Sequence, residues 1–380
     1  MNPPEIEDYH ILSGFDPDDY PSNKVAVAMS GGIDSSLAAV MLRERGFEVV
    51  GLTMLLWDYE RCGGRGNRTG CCDLASIEHA RGVAYDAGIP HYVTNMKEEF
   101  ERIVIDDFVE SYLSGKTPNP CVVCNTEMKW KLLLKKARAL GCGLIATGHY
   151  ARIGRGPEGN HALLKGSDPA KDQSYFLWGI DRGDLAHTLF PLGAMTKKQT
   201  RAESAKRGLK TADRPESFEI CFIPDNDYRR FLIEKVGDSN LSMLREGDIL
   251  DRSGAVVGRH TGAAFYTLGQ RRGIGGGFAR PVYVTGIDVV RNTITIGDAS
   301  DLLSFRMSIG GMNWFQTFPE SGTFPCTAKI RSMHPGAEAL AAVRGNSVEI
   351  EFREPQSAVT PGQSAVLYDG DRVIGGGIIE

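Results

Sequence analysis

Two stretches of this chain carry residues whose types and spacing can do chemistry. The first is Ser30-Gly31-Gly32-Ile33-Asp34-Ser35-Ser36. Its glycines let backbone N–H groups come close to a phosphate, its hydroxyls add donors, and a helix starting just after it favours negative charge. Asp34 can hold Mg²⁺ beside a pyrophosphate. The stretch has neither the Gly-Lys-Ser/Thr of a Walker A loop nor the glycine spacing of a dinucleotide site. Read blandly, it is a glycine turn capped by serines. The second stretch is Thr117-Pro118-Asn119-Pro120-Cys121-Val122-Val123-Cys124-Asn125. Its prolines stiffen the loop. A helix is expected over Asn125 to Leu140, which puts Cys124 close to a helix N-terminus, where the dipole stabilises a thiolate. Cys221, in Phe218-Glu219-Ile220-Cys221-Phe222-Ile223-Pro224, is a third candidate thiol. A Cys-x-x-Cys is also the form of half a zinc site or of a buried pair.

The remaining cysteines and the charged clusters are less specific. Cys62, Cys71 and Cys72 fall in a Gly- and Arg-rich loop with His79 as the nearest fourth ligand, so the loop reads either as a metal site or as a flexible segment that contacts phosphate. Cys142 and Cys326 lie in apolar stretches and read as buried small hydrophobes. Lys129, Lys131, Lys135, Lys136 and Arg138 crowd one helix; Lys197, Lys198, Arg201, Lys206 and Arg207 form a second basic cluster and Arg271-Arg272 a third. Each is a solvated face or a phosphate contact. Trp130, Tyr150 and Tyr175 are candidates for stacking on a base or for the core.

The elements that must position these residues follow from hydrophobic periodicity. Short apolar runs at Lys24–Met29, Glu48–Leu55, His91–Asn95 and Leu144–Thr147 read as strands, and the segments between them as helices. Alternation of strand and helix means an α/β fold with a doubly wound parallel sheet and ligands at the strands' carboxyl ends. After about residue 220 the helical period fades, apart from Asp227–Glu234. Runs at 255–257, 282–285, 293–296, 347–352 and 364–368 alternate with Gly and Asp turns, which predicts two small β-rich domains, the last barrel-like. Thr360-Pro361-Gly362-Gln363 has Pro and Gly placed for a type II turn. The expected partition is 1–22 as a flexible extension, 23–219 as the nucleotide-binding catalytic domain, 220–300 as a central mainly-β domain and 301–380 as a β-barrel.

Length and composition bound the reading. A chain of 380 residues is too long for a single core. A net charge of −5 excludes a protein coated in positive field, so nucleic-acid contact must come from local patches. No apolar run approaches the roughly 18 residues of a membrane span. Residues 1–22 lack the basic and apolar regions of a signal peptide, which points to a cytoplasmic protein with reduced thiols.

The phosphate loop resembles the PP-loop of the ATP pyrophosphatases. Taken with Thr117-Pro118-Asn119-Pro120, Cys124-Asn125, Thr147-Gly148-His149-Tyr150, Lys171-Asp172-Gln173-Ser174-Tyr175-Phe176, Ile220-Cys221-Phe222-Ile223, Tyr266-Thr267-Leu268-Gly269-Gln270-Arg271 and Thr360-Pro361-Gly362-Gln363, in that order, the chain from about Lys24 onward resembles the tRNA-specific 2-thiouridylase (MnmA) family. The resemblance implies an enzyme that adenylates the C2 oxygen of a wobble uridine, in tRNAs for Lys, Glu and Gln, and replaces that oxygen with sulfur. It implies ATP contacts at Ala28, Met29, Ser30, Gly31, Gly32, Ile33, Asp34, Ser35, Met54 and Gly148. Cys124 matches the sulfur-carrying nucleophile and Cys221 the second cysteine. Asn119, Pro120 and Cys121 would face the target base; His149, Lys171, Asp172, Gln173, Arg331, Ser332 and Gln363 would contact the tRNA.

One position departs from the family's pattern. Asp usually stands three residues before the nucleophile, as a proposed acid/base, where this chain has Cys121. Thiol and carboxyl reference pKa values differ by roughly 4–5 units, so one cannot stand in for the other. Cys121, Cys124 and Cys221 then resemble the ligand set of iron–sulfur-dependent tRNA thiolases. Three thiolates on a [4Fe–4S] cluster leave one iron open for hydrosulfide. A cluster mechanism is therefore expected, with a persulfide relay on Cys124 and Cys221 as the alternative, supplied by a sulfur-donor protein or free sulfide. A PP-loop synthetase acting on a small metabolite, or a non-catalytic RNA-binding protein, are the competing classes.

Overall fold

The computed structural model describes residues 10–11, 15–57, 74–156, 158–211, 220–237, 241–275, 277–278, 280–316 and 321–380. Cys62, Cys71 and Cys72 lie outside them. The described chain divides into two compact units that are not contiguous in sequence, since 105–120 groups with 227–369 and 375–380, whereas 370–374 groups with the earlier residues.

In the first unit, β1 (Lys24–Ala28) and β2 (Glu48–Leu55) are apolar without alternation, and Val49 through Met54 are all buried, the mark of strands covered on both faces. With β3 (His91–Asn95), β4 (Leu144–Ala146) and β7 (Thr188–Leu189) they form a parallel sheet in the order β3-β2-β1-β4-β7. Val25 pairs with Val49 on one side and with Leu144 on the other. The order reverses between β1 and β4, the place where α/β sheets bind ligands. The expected α/β sheet is thus present.

Helix α1 (Ile33–Glu44) starts from Gly32 and ends at Gly46, which takes a positive φ. It and α2 (Leu74–Asp86) bury Leu42, Ala80 and Val83 against Val25, Val27, Phe47 and Leu144. Phe15 joins this core and Tyr20 packs on Phe47 at 5.9 Å. Burying a side chain such as Phe15 contributes about 1.5–3 kcal/mol.

Helix α3 (97–113) runs as expected. Helix α4 (120–139) begins five residues earlier than Asn125, with Pro120 at its first position, where a missing N–H costs nothing. Its middle, Cys124–Leu133, is π-helical, a wide form frequent at functional sites. A hairpin of β5 (Ala151–Arg155) and β6 (His161–Lys165) follows, unannounced by the weak pattern of those residues, and α5 (Lys197–Lys206) starts from a Thr196/Gln199 capping box.

In the second unit α6 (Tyr228–Val236), capped by Asp227, packs on 105–113. Tyr228 stacks on Tyr112 at 5.1 Å and Phe231 meets Phe108 at 6.0 Å. Strands β8 (Gly247–Leu250), β9 (Val256–His260), β10 (Tyr283–Asp288) and β11 (Thr293–Gly297) make a four-stranded sheet in the order β9-β8-β11-β10. Strands β12 (Leu303–Trp314), β13 (Ser321–Lys329), β14 (Ala337–Arg344), β15 (Ser347–Ser357), β16 (Ser364–Asp369) and β17 (Arg372–Ile379) run in the order β17-β12-β15-β14-β13-β16, and β16 pairs back onto β17 to close a barrel. Closure removes exposed edges. The barrel strands missing from the sequence reading are rich in Gly and Ala, which carry little strand signal.

Candidate active site

The phosphate loop lies at the carboxyl end of β1, between that strand and α1. Gly31 adopts φ +70°, and a Cβ there would fall 2.1 Å from the Ser76 carbonyl oxygen, so only glycine fits. Ser35 shapes the turn: its Oγ accepts from the Ser30 N–H at 3.1 Å and lies 3.2 Å from Ser30 Oγ. Gly148, just past β4, packs directly on the backbone of Asp34 and Ser35. The residues expected to bind ATP, from Ala28 to Ser35 with Gly148, therefore surround one helix N-terminus; Met54, on β2, is buried.

Asp34 does not stand open for a cation. Lys197 Nζ donates to its Oδ1 and Oδ2 at 2.7 and 2.8 Å, and Tyr150 OH donates to Oδ1 at 2.8 Å while lying 2.9 Å from Thr200 Oγ1. Lys197 is thus not part of a surface patch. It is buried at the first position of α5, and its backbone N–H donates to Asp168 at 2.9 Å. Tyr150 is a buried part of the same network rather than a stacking platform. Neither residue was assigned to the nucleotide loop from sequence; the Thr196-x-x-Gln199 capping pattern marks where α5 starts but not what its lysine meets.

Helix α4 carries the thiols. Cys121 is exposed on its first turn, and Cys124 is half-buried at the start of the π-helical segment, one turn in rather than at the N-terminus. The dipole fades beyond the first turn, so it favours Cys121 more than the expected Cys124. Cys221 is half-buried in a turn whose next residue, Phe222, is buried between Phe100 at 5.7 Å and Trp57 at 6.5 Å. None of the three is in a disulfide. Among the described residues no three Cys, His, Asp or Glu side chains come together to hold a metal ion, so Cys121, Cys124 and Cys221 do not make the expected three-thiolate cluster site. Cys142 and Cys326 are buried as expected, and burial pushes the Cys326 thiol up to about 12.

Past Cys124, side chains lock α4 to its neighbours. Asn125 Nδ2 donates to the Phe176 carbonyl at 2.9 Å and its Oδ1 accepts from Lys129 Nζ at 2.8 Å. Lys129 Nζ lies 3.5 Å from His149 Nε2, and Thr147 Oγ1 lies 2.7 Å from Nδ1. An ammonium can only donate, so any hydrogen bond between the two has Nε2 as its acceptor. Burial first, and the Lys129 charge second, hold His149 well below the ordinary imidazole range. It is neutral at pH 7. Trp130, wholly inside, donates from Nε1 to Thr188 Oγ1 at 2.9 Å, and Tyr175 is also core. Lys131 and Arg138 are paired with Glu127 and Asp184, and Arg207 with Glu44 and Glu203, which makes these clusters largely solvated ion pairs. Arg271 and Arg272 are exposed.

The residues expected to meet RNA divide. Lys171 is half-buried. Asp172 accepts from Gly166 and Ser174 N–H, and Gln173 Oε1 accepts from the Tyr150 N–H at 3.0 Å, so both brace the chain itself. In the second unit, Arg331 is exposed and donates to the Ser357 carbonyl at 3.1 Å, with Ser332 half-buried beside it. Asn119 is half-buried and Pro120 buried. Gln363 Nε2 donates to the carbonyls of Thr117 and Pro118. The turn before it has the expected form: Gly362 takes φ +90° and the Gln363 N–H donates to the Thr360 carbonyl.

No helix among the described residues is long and apolar enough to cross a membrane. Three family profiles match the chain: the tRNA methyl transferase HUP domain over residues 23–225, the tRNA methyl transferase PRC-barrel domain over 231–298 and the aminomethyltransferase β-barrel domain over 305–379. Curated relatives named tRNA-specific 2-thiouridylase MnmA match over nearly the full length. That of Geotalea uraniireducens is 49% identical over 360 residues, covering 94% of this chain and 95% of the relative. Those of Geobacter metallireducens and Salinibacter ruber are 47% and 48% identical, each over 94% of this chain, and over 96% and 94% of their own lengths.

Proposed function

Because the chain belongs to the tRNA-specific 2-thiouridylase family, we propose that it spends ATP to activate C2 of the wobble uridine and then puts sulfur there. It is a tRNA sulfurtransferase. The observation that carries the detailed reading is that the phosphate loop, Cys124 and Cys221 all belong to one compact unit.

In the first step the uridine C2 oxygen attacks the α-phosphorus and pyrophosphate leaves. The α1 N-terminus and the Ser30–Ser35 turn donate to the phosphates, and Lys197 adds positive charge as pyrophosphate departs. A Mg²⁺ ion beside the pyrophosphate would take most of its ligands from phosphate and water, and Asp34 would be its protein ligand only with Lys197 displaced. Holding the nucleotide and base in line supplies much of the rate.

Among the described residues no three metal-ligating side chains come together, so no step is assigned to an iron–sulfur cluster. A persulfide on Cys124, charged by a sulfur donor, attacks C2 and expels AMP. The Cys221 thiolate then attacks Cys124 Sγ, leaving the outer sulfur on C2 and closing a Cys124–Cys221 disulfide. A thiol reductant returns two electrons before the next turnover. The tRNAs for Lys, Glu and Gln are the proposed substrates.

The test is iron-free protein incubated with a tRNA transcript, MgATP and a persulfide-loaded sulfurtransferase, read by mass spectrometry of the nucleosides and by pyrophosphate release. Expected are 2-thiouridine and equimolar pyrophosphate. Activity that appears only after anaerobic loading with iron and sulfide would refute the relay; pyrophosphate release driven by a small acid and not by tRNA would refute the function.

A further inference from the structure

The loop that leads into Cys121 and Cys124 carries two prolines, Pro118 and Pro120. Pro118 and Pro120 have no N–H, so local donors for the loop's carbonyls are scarce. In the second unit those carbonyls are met by one side chain. Gln363 Nε2 donates to the Thr117 carbonyl at 2.9 Å and to the Pro118 carbonyl at 3.1 Å. Around it, the Thr117 N–H donates to the Pro361 carbonyl at 2.9 Å, and Thr117 Oγ1 donates to Thr267 Oγ1 at 3.2 Å. A Cβ on Gly362 would fall 2.9 Å from Thr117 N, so the two backbones meet closely only because that residue is glycine.

We propose that Gln363 is a positioning residue which fixes the Thr117–Pro120 loop and, through it, the start of the cysteine-bearing helix. Both amide hydrogens of Gln363 are spent on carbonyl oxygens, which only accept, and this decides which end of the amide faces the loop. Only Oε1 remains for any other partner. Gln363 lines a cavity of about 510 Å³ with Thr117, Tyr283, Arg331, Ser357 and Thr360. An RNA group meeting Gln363 there must be a donor, that is a 2′-hydroxyl, an exocyclic amine or a ring N–H.

This inference rests on reading that loop as catalytic, and its test separates the two. In Gln363→Met the side-chain volume is kept and both donors are lost. Hydrogen exchange of the Thr117 amide, measured without substrate, is expected to speed up by at least tenfold, since each lost bond contributes about 1 kcal/mol. The single-turnover thiolation rate at saturating tRNA falls by roughly the same factor, while the Kd for tRNA stays within about threefold. Gln363→Glu retains an acceptor and the length of the side chain, and should show the same exchange. Unchanged exchange in both variants overturns the clamp, as does a weaker Kd with a normal rate at saturation. If the exchange result holds but wild-type protein fails to thiolate tRNA, the clamp stands and the proposed function falls.

Discussion

Lys197 Nζ reaches both carboxylate oxygens of Asp34, at 2.7 and 2.8 Å, across 163 residues of sequence. The pair ties the N-terminus of α5 to the phosphate loop, with the lysine side chain 11% and the carboxylate 31% exposed. Removing one partner of a sheltered pair leaves the other charge uncompensated. Lys197→Met should cost about 1–3 kcal/mol in urea unfolding, between the values for exposed and for buried pairs because Asp34 still touches water. Adding Asp34→Asn should restore part of that loss, a coupling read by a double-mutant cycle. Both single variants should lose tRNA-dependent pyrophosphate release, and additive unfolding energies would show that the pair is not coupled.

Cys124→Ala is expected to abolish 2-thiouridine formation while tRNA affinity changes by less than about threefold, because a half-buried thiol contributes little to RNA binding. Cys121→Asp places a carboxylate at an exposed first-turn position, where a negative charge suits the helix N-terminus. It should retain thiolation in iron-free protein. Loss of all activity in that variant would argue that the Cys121 thiol itself takes part.

Gly362→Ala adds a methyl group that would lie 2.8 Å from Lys116 Cβ and 2.9 Å from Thr117 N, at φ +90°. Strain at such a position costs about 1–3 kcal/mol. The expected result is a lowered unfolding midpoint and slower single-turnover thiolation. A variant with normal stability would mean that the turn shifts freely away from the loop.

Burial holds His91, His149, His161, His260 and His334 below the ordinary imidazole value of 6.5. Near and below that pH the unfolded chain takes up protons that the folded chain refuses, so stability is full above about pH 6.5 and declines as pH falls below it. Thermal unfolding should therefore come at lower temperature at about pH 5.5 than at pH 7.5, before most carboxylates titrate. His149→Gln should flatten the decline. An unfolding temperature flat across that range would contradict the buried, neutral assignment.

What the amino-acid sequence determined is whatever depends on near neighbours in the chain. Gly31, Gly32 and Ser35 specify the phosphate turn through local dihedrals and hydroxyls, Pro361 and Gly362 specify the turn that ends at Gln363, and the unbroken apolar runs of β1 and β2 mark a sheet covered on both faces. Tertiary structure decided the partners of polar side chains. Lys197 read as one charge in a basic patch until folding set it on Asp34, and nothing near Gln363 in the chain announced that its amide holds Thr117 and Pro118. Trp130, Tyr150 and Tyr175 went to the core, and Cys121, Cys124 and Cys221 did not gather into a ligand set. The physical reason is range: dihedral preference and periodicity act over a few residues, whereas ion pairs, hydrogen bonds and metal ligation are chosen among groups that only the packed chain brings within about 3 Å of each other.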